Sequence, residues 1–368
     1  MSKTRSIFEE VGTEAPVEKP LVQPGAIDRA ARRGARGAVR IWLVLLAVVA
    51  MVFVVTSGVT RVSGTALDIP GWHPFYGGLP LDSARMQDAQ EAYAQTGADP
   101  GRYSALYWWN WGQRQLDRLI LVLWGLGFLG FLMFRKLPKG WTLRVLGIGL
   151  LSGLLVGAGI LRHAGGLADP YAAAVQVGMG YGLVGVLLWL GFRLRRSEVE
   201  LLQARRARDT GAFGLATGIM HLAFVQVLLG GVLGALDAGR GFADWPLMAG
   251  GILPPEMFTL TPVWTNLFEN AGSVQFFHRI LGYCVAILGL GAWLKARRSA
   301  NRHTRRAFDW MMVILFGQVV LGVGTVLYAA QWHMALTHQI GAVLAWGLIL
   351  RARFLAQYPV AQSIRGSA

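Results

Sequence analysis

The chain predicts an all-α polytopic membrane protein: eight transmembrane helices arranged as two tandem four-helix bundles, with both termini cytoplasmic. Three observations predict this. The composition, 54% hydrophobic and 15% charged with a mean hydropathy of +0.44, is too apolar for a soluble domain. Eight apolar runs approach or reach the roughly 20 residues that a bilayer-crossing helix needs. The basic residues fall in clusters on alternate connections between those runs, which fixes an orientation.

The elements follow in order. Residues 1–40 are polar, basic and proline-containing, and apolar sequence starts only at Ile41. That pattern reads as a flexible basic cytoplasmic tail and not as a cleavable signal peptide. Runs near 41–60, 116–134, 142–161 and 171–192 make an N-terminal four-helix unit over 41–195. A cytoplasmic linker covers 196–211. Runs near 212–235, 275–296, 308–328 and 333–352 make a C-terminal unit over 212–356, and 357–368 is a second cytoplasmic tail. Arginines and lysines crowd the tail (Arg32, Arg33, Arg36) and the second, fourth and sixth connections (Arg135, Lys136; Arg205, Arg206; Arg297, Arg298). The third and seventh connections have almost none, so both termini lie on the positive, cytoplasmic side. The two long connections, 61–115 and 236–274, then face the other side; their Trp, Pro and Gly content suits an interfacial aromatic belt or a lid over a site in the outer leaflet.

The net charge of +15 might suggest nucleic acid, but its clustering between apolar runs marks membrane topology, so no nucleic-acid partner is expected. Cys284 is the only cysteine, which excludes an internal disulfide or a cysteine-based cluster; in its apolar run it reads as a buried packing residue. The chain also repeats itself. GQRQLDRLILVLWGLGF at 112–128 resembles FHRILGYCVAILGLGAW at 277–293, and AVQVGMGYGLV at 174–184 resembles THQIGAVLAWG at 337–347. The two pairs share nearly one offset, as a tandem duplication with preserved topology requires.

The repeat aligns Gln113-Arg114 with His278-Arg279 and Gln176 with His338. His278 and His338 sit a few residues inside the sixth and eighth runs, at matching depth. An imidazole at membrane depth is uncommon and marks function by default. Two at one level on separate helices suit axial ligation of a heme iron. Arg279 either neutralises a heme propionate or snorkels to the interface. His333 reads as interfacial, His221 as a packing or outer-shell group, and His73, His163 and His303 as loop residues.

At this point the chain resembles the heme A synthases of alphaproteobacteria and mitochondria, over about residues 38–356. The most specific stretches are GALDAGRGFADWPLMAGGILPP, LTPVWTNLFENAGSVQFFHRILGY and HMALTHQIGAVLAW. The resemblance implies heme b as cofactor, held in the C-terminal unit by His278 and His338. It implies heme O as substrate, its C8 methyl oxidised to a formyl group by successive hydroxylations for cytochrome oxidase biogenesis. It places the substrate heme in the N-terminal unit, and the protein in the bacterial inner membrane as a multi-pass protein. A heme O synthase is implied as the source of substrate; the electron donor and any homo-oligomer stay open.

The N-terminal unit departs from the family pattern. Members carry Glu and His in a W-E-W-G-H-R segment where this chain reads Trp109-Asn110-Trp111-Gly112-Gln113-Arg114, and a further His where it has Gln176. A carboxamide is a weak ligand for heme iron, and Asn110 cannot take up a proton as a carboxylate does. These changes keep a rival in view: a non-catalytic b-heme membrane paralogue that handles heme or assists oxidase assembly. A transporter is suggested by the repeat alone, with no interrupted helix pair to support it.

Overall fold

A helix that crosses lipid must satisfy every backbone polar group internally, and the described chain does so almost entirely with helices. The computed structural model describes residues 26–62, 87–88, 90–91, 94–95, 100–163 and 168–361. Within them run α1 (Ala26–Val62), α2 (Pro100–Met133), α3 (Thr142–His163), α4 (Asp169–Leu194), the short α5 (Glu198–Arg206), α6 (Thr210–Ala235), α7 (Ala271–Arg297), α8 (Arg302–Leu327) and α9 (Trp332–Gln357). All but α5 carry a stretch long and apolar enough to cross a membrane. The protein is thus a helical multi-pass membrane protein.

Helix starts are written into the sequence. Asp209, Asn270 and Asn301 precede α6, α7 and α8, and each side chain accepts a backbone N–H three residues on, from Ala212 (3.0 Å), Ser273 (2.9 Å) and Thr304 (3.1 Å). Two boundaries differ from expectation. α1 begins at Ala26, so residues 26–40 of the expected flexible tail are helical. The reason is local: AIDRAARRGARGAVR is rich in strong helix formers and contains no proline. The linker 196–211 likewise contains α5, nucleated by a capping box in which Glu200 N donates to Ser197 Oγ (3.1 Å) and Ser197 N to Glu200 Oε2 (2.6 Å). Residues 1–25 and 362–368 of the two expected tails lie outside the described residues.

Helices α1 to α4 pack in a ring, each against the next and α4 back against α1; α6 to α9 do the same. The rings meet along α1, α4, α6 and α9. In lipid, close packing and buried hydrogen bonds hold helices together, so small residues matter at contacts. Trp42 of α1 fills the space beside Gly127 and donates its indole N–H to Leu123 O (2.9 Å). Trp124 of α2 does the same beside Gly149, donating to Val145 O (2.8 Å). Outer faces carry large exposed apolar side chains such as Leu126, Leu150 and Ile287, the surface that lipid covers. Cys284 is on this outer face, not buried as expected: the helix it shares with His278 turns it away from the ring's interior.

Candidate functional site

His278 lies two turns into α7 and His338 two turns into α9, and the two helices run in the same direction. The ring of α6–α9 brings both imidazoles to one cavity of about 280 Å³. Its wall is mainly apolar and glycine-rich, with Val285, Val319 and Ala342 among its residues. Each ring backs onto a glycine of the preceding helix. A Cβ on Gly230 would stand 3.3 Å from His278 Cε1, and one on Gly322 3.4 Å from His338 Cε1. These glycines let the helix backbone approach the ring edge.

One turn before each glycine stands a glutamine: Gln226 before Gly230, Gln318 before Gly322. Gln226 Nε2 donates to His278 O (3.0 Å) and lies 3.2 Å from His278 Nε2. Gln318 packs its amide against Gly341 of α9. This paired Gln-x-x-x-Gly arrangement was missed in the sequence. Its signal is there, QVLLG at 226–230 and QVVLG at 318–322, but it carries meaning only once α6 is known to pack on α7 and α8 on α9.

The Nδ1 atoms of His278 and His338 are both buried with no hydrogen-bond partner. A buried ring nitrogen without a partner costs about 1–3 kcal/mol unless something other than the protein satisfies it. Among the described residues no group of three or more His, Cys, Asp or Glu is placed to hold a bare ion. Two imidazoles in an apolar cavity instead suit a metal whose remaining ligands come from a macrocycle. The residues present therefore fit a heme.

The α6–α7 connection contributes Asp237, Gly239 and Trp245 to the cavity wall, and Arg279 fastens that connection. Its guanidinium donates to the carbonyls of Phe242, Asp244 and Leu247, each at 3.0 Å. Gln275 Nε2 adds a bond to Phe242 O (3.1 Å), and Trp245 Nε1 donates to Tyr283 OH (2.7 Å). Asp244 accepts from the backbone N–H of Ala249 and Gly250, each at 3.0 Å. The bonds from Gly250 and Ala249, with the Arg279 charge, hold its carboxyl below the ordinary range. Arg279 is thus a clamp on the loop over the site, an arrangement neither sequence alternative described.

The other histidines lie elsewhere. His221 is exposed on the outside of α6 and bonds its own Thr217 O (2.9 Å), so it is no outer-shell group; its position on the helix faces it away from the cavity. His333 is exposed at the start of α9. His303 is exposed at the start of α8. His73 and the side chain of His163 lie outside the described residues.

In the first ring, Gln176 is buried on α4 and Gln113 half-buried on α2. The Asn110 side chain lies outside the described residues. The fold adds one group that the sequence analysis passed over. Asp117 follows Gln113 by one turn on the same face of α2, half-buried, with Arg118 and Arg114 as its charged neighbours. The internal repeat aligns it with Gly282, which lines the histidine cavity.

Eight apolar helices, of which α1, α4 and α6 to α9 line a cavity holding His278 and His338, define a multi-pass membrane protein whose site fits a heme. The chain belongs to the cytochrome oxidase assembly protein family COX15-CtaA, whose model matches residues 40–350. It is 47% identical to a heme A synthase of Dinoroseobacter shibae over 382 residues, covering all of both chains. It is 45% identical to one of Ruegeria pomeroyi, again over the whole of both. A heme A synthase of Cereibacter sphaeroides is 43% identical over 99% of this chain and 98% of its own.

Proposed function

We propose that this chain is a heme A synthase, an oxidoreductase of the bacterial inner membrane that converts the C8 methyl of heme O to a formyl group. The observation that carries the proposal is the joining of a full-length family match to one cavity lined by both His278 and His338. His278 and His338 would hold heme b, which when bound would supply a one-electron redox centre. Gln226 Nε2 reaches both the ring Nε2 and the backbone carbonyl of His278, which orients the imidazole, and Arg279 ties down the 242–247 loop beside the cavity. The proposal treats 41–195 and 212–356 as two units, the first receiving heme O. Both termini are cytoplasmic, and a heme O synthase is the source of substrate.

In the first unit Asn110 cannot carry a proton. Asp117, one turn beyond Gln113 on α2, is the carboxylate assigned that task. Gln113 and Gln176 preserve the length of a histidine and the capacity to hydrogen-bond, at the expense of strong iron ligation. These same three residues favour the second reading, a b-heme paralogue without turnover.

The test is expression with a heme O synthase in a host lacking its own heme A synthase, followed by heme extraction and chromatography. Heme A or hydroxylated heme O supports the enzyme. Unchanged heme O, with heme b on the purified protein and a working synthase control, supports the paralogue.

A further inference from the structure

Several arginines at the α5 end of the molecule are engaged internally. Arg196 donates to Tyr358 O (2.8 Å) and Pro359 O (3.0 Å). Arg305 donates to Ser299 O (2.7 Å), and Arg353 donates to Thr217 Oγ1 (3.0 Å) while stacking on Trp189 and Phe213. Arg306 and Arg351 are among those that are not, and these two share a pocket. With His303 they line a pocket of about 450 Å³ between the first turns of α8 and the last turns of α9. None of these three side chains has a hydrogen bond or ion pair among the described residues, and no carboxylate lines the pocket. The acid next along α8, Asp309, is turned inward and accepts from Trp293 Nε1 (2.8 Å).

The rest of the groove is apolar and runs lengthwise. On α8, Arg306 continues at helical spacing into Trp310, Val313 and Val320, all exposed. On α9, Arg351 continues into Leu348, Leu344 and Ile340, the last two exposed. Two lipid-facing stripes on adjacent helices thus end at the same unpaired cations. The N-terminus of α8 adds its partial positive charge, Asn301 being its cap. Charge at the membrane edge over a greasy groove has the shape of one phospholipid, and basic pockets between membrane helices bind anionic headgroups.

We propose that this groove binds an anionic glycerophospholipid. Arg306 and Arg351 fork onto the phosphodiester, His303 flanks it, and the acyl chains lie along Trp310, Val313, Leu344 and Leu348. The site is at the opposite end of α9 from His338 and takes no part in heme chemistry.

Reconstitution tests this. The full-length protein is placed in nanodiscs of phosphatidylcholine, with and without phosphatidylglycerol, and its thermal unfolding recorded. Anionic lipid is expected to raise the midpoint by several degrees, as binding to the folded state requires. The Arg306→Gln/Arg351→Gln double variant is expected to lose most of that increment, and Arg205→Gln/Arg206→Gln to keep it. Native mass spectra of the wild-type protein should retain phosphatidylglycerol over phosphatidylcholine, a readout that needs no variant. Equal midpoints for the wild-type protein in both discs, an increment unchanged in the double variant, or the same rise from inorganic phosphate in pure phosphatidylcholine would each overturn the assignment.

Discussion

Residue by residue, the imidazole pair is the feature on which the proposed chemistry rests. If His278 and His338 hold heme b as proposed, His278→Ala and His338→Ala should each lose the b-type absorbance of the purified protein. Gln226 acts one step out, through its contacts with the His278 ring Nε2 and backbone carbonyl. Outer-shell partners of metal ligands typically contribute about 10–100-fold in affinity. Gln226→Leu should therefore weaken heme retention on dilution by about ten-fold, with the absorbance spectrum preserved. Asp117→Asn makes a different prediction: heme b content unchanged, heme A yield lowered at least about ten-fold, the lower range for loss of a proton-transfer group. Unchanged yield in that variant would remove Asp117 from the mechanism. The two histidines were legible because imidazole is rare at membrane depth. Asp117 was not, since a single Asp beside two arginines reads as an ion pair until the repeat aligns it with Gly282. The role of Arg279 was also hidden: its partners, Phe242, Asp244 and Leu247, lie more than thirty residues upstream, and no local pattern names them.

Among the elements, spans were legible and their extensions were not. Hydropathy responds to what lipid requires, so the eight runs and their order followed from it. It is blind to a polar helix such as residues 26–40 of α1 or to α5, where propensity and capping decide. The loop over the cavity shows how an element outside the spans is stabilised. Asp244 has its carboxyl held low by the N–H groups of Gly250 and Ala249 and by Arg279. The sign follows from linkage. A depressed carboxyl stabilises the loop above the ordinary carboxylate pKa near 4, and that contribution is lost as pH falls through the lower value in the folded protein. Hydrogen exchange of the Ala249 and Gly250 amides, corrected for intrinsic rates, should lose protection on acidification below about pH 4. Asp244→Asn should show reduced protection at neutral pH and little further change on acidification. Protection in that variant equal to wild type would mean that the Asp244 bonds do not hold the loop.

Across the whole molecule, the repeat explains why two helix rings face one another through α1, α4, α6 and α9. Those four helices contribute the central contacts, and α2, α3, α7 and α8 complete the periphery. Only pairing within each run of spans was legible; the docking of one ring on the other was not, because its bonds join side chains to remote carbonyls. Gln339 Nε2 donates to Val54 O (2.7 Å), packing its amide against Gly58, and Trp346 Nε1 donates to Tyr181 O (3.0 Å) beneath the Tyr181 ring. Both bonds lie beside the cavity, since Gly58, Tyr181, Gln339 and Trp346 all line it. Buried hydrogen bonds between membrane helices contribute about 0.6–2 kcal/mol each. Trp346→Phe and Gln339→Leu keep much of the apolar volume while removing the donors, and each should lower the unfolding midpoint by a few degrees. Because the bonds join the same two rings, wild type should unfold in a single transition that the double variant shifts further without splitting. If the double variant instead resolves into two transitions with only the second releasing heme b, the rings fold independently and the docking bonds add no cooperativity.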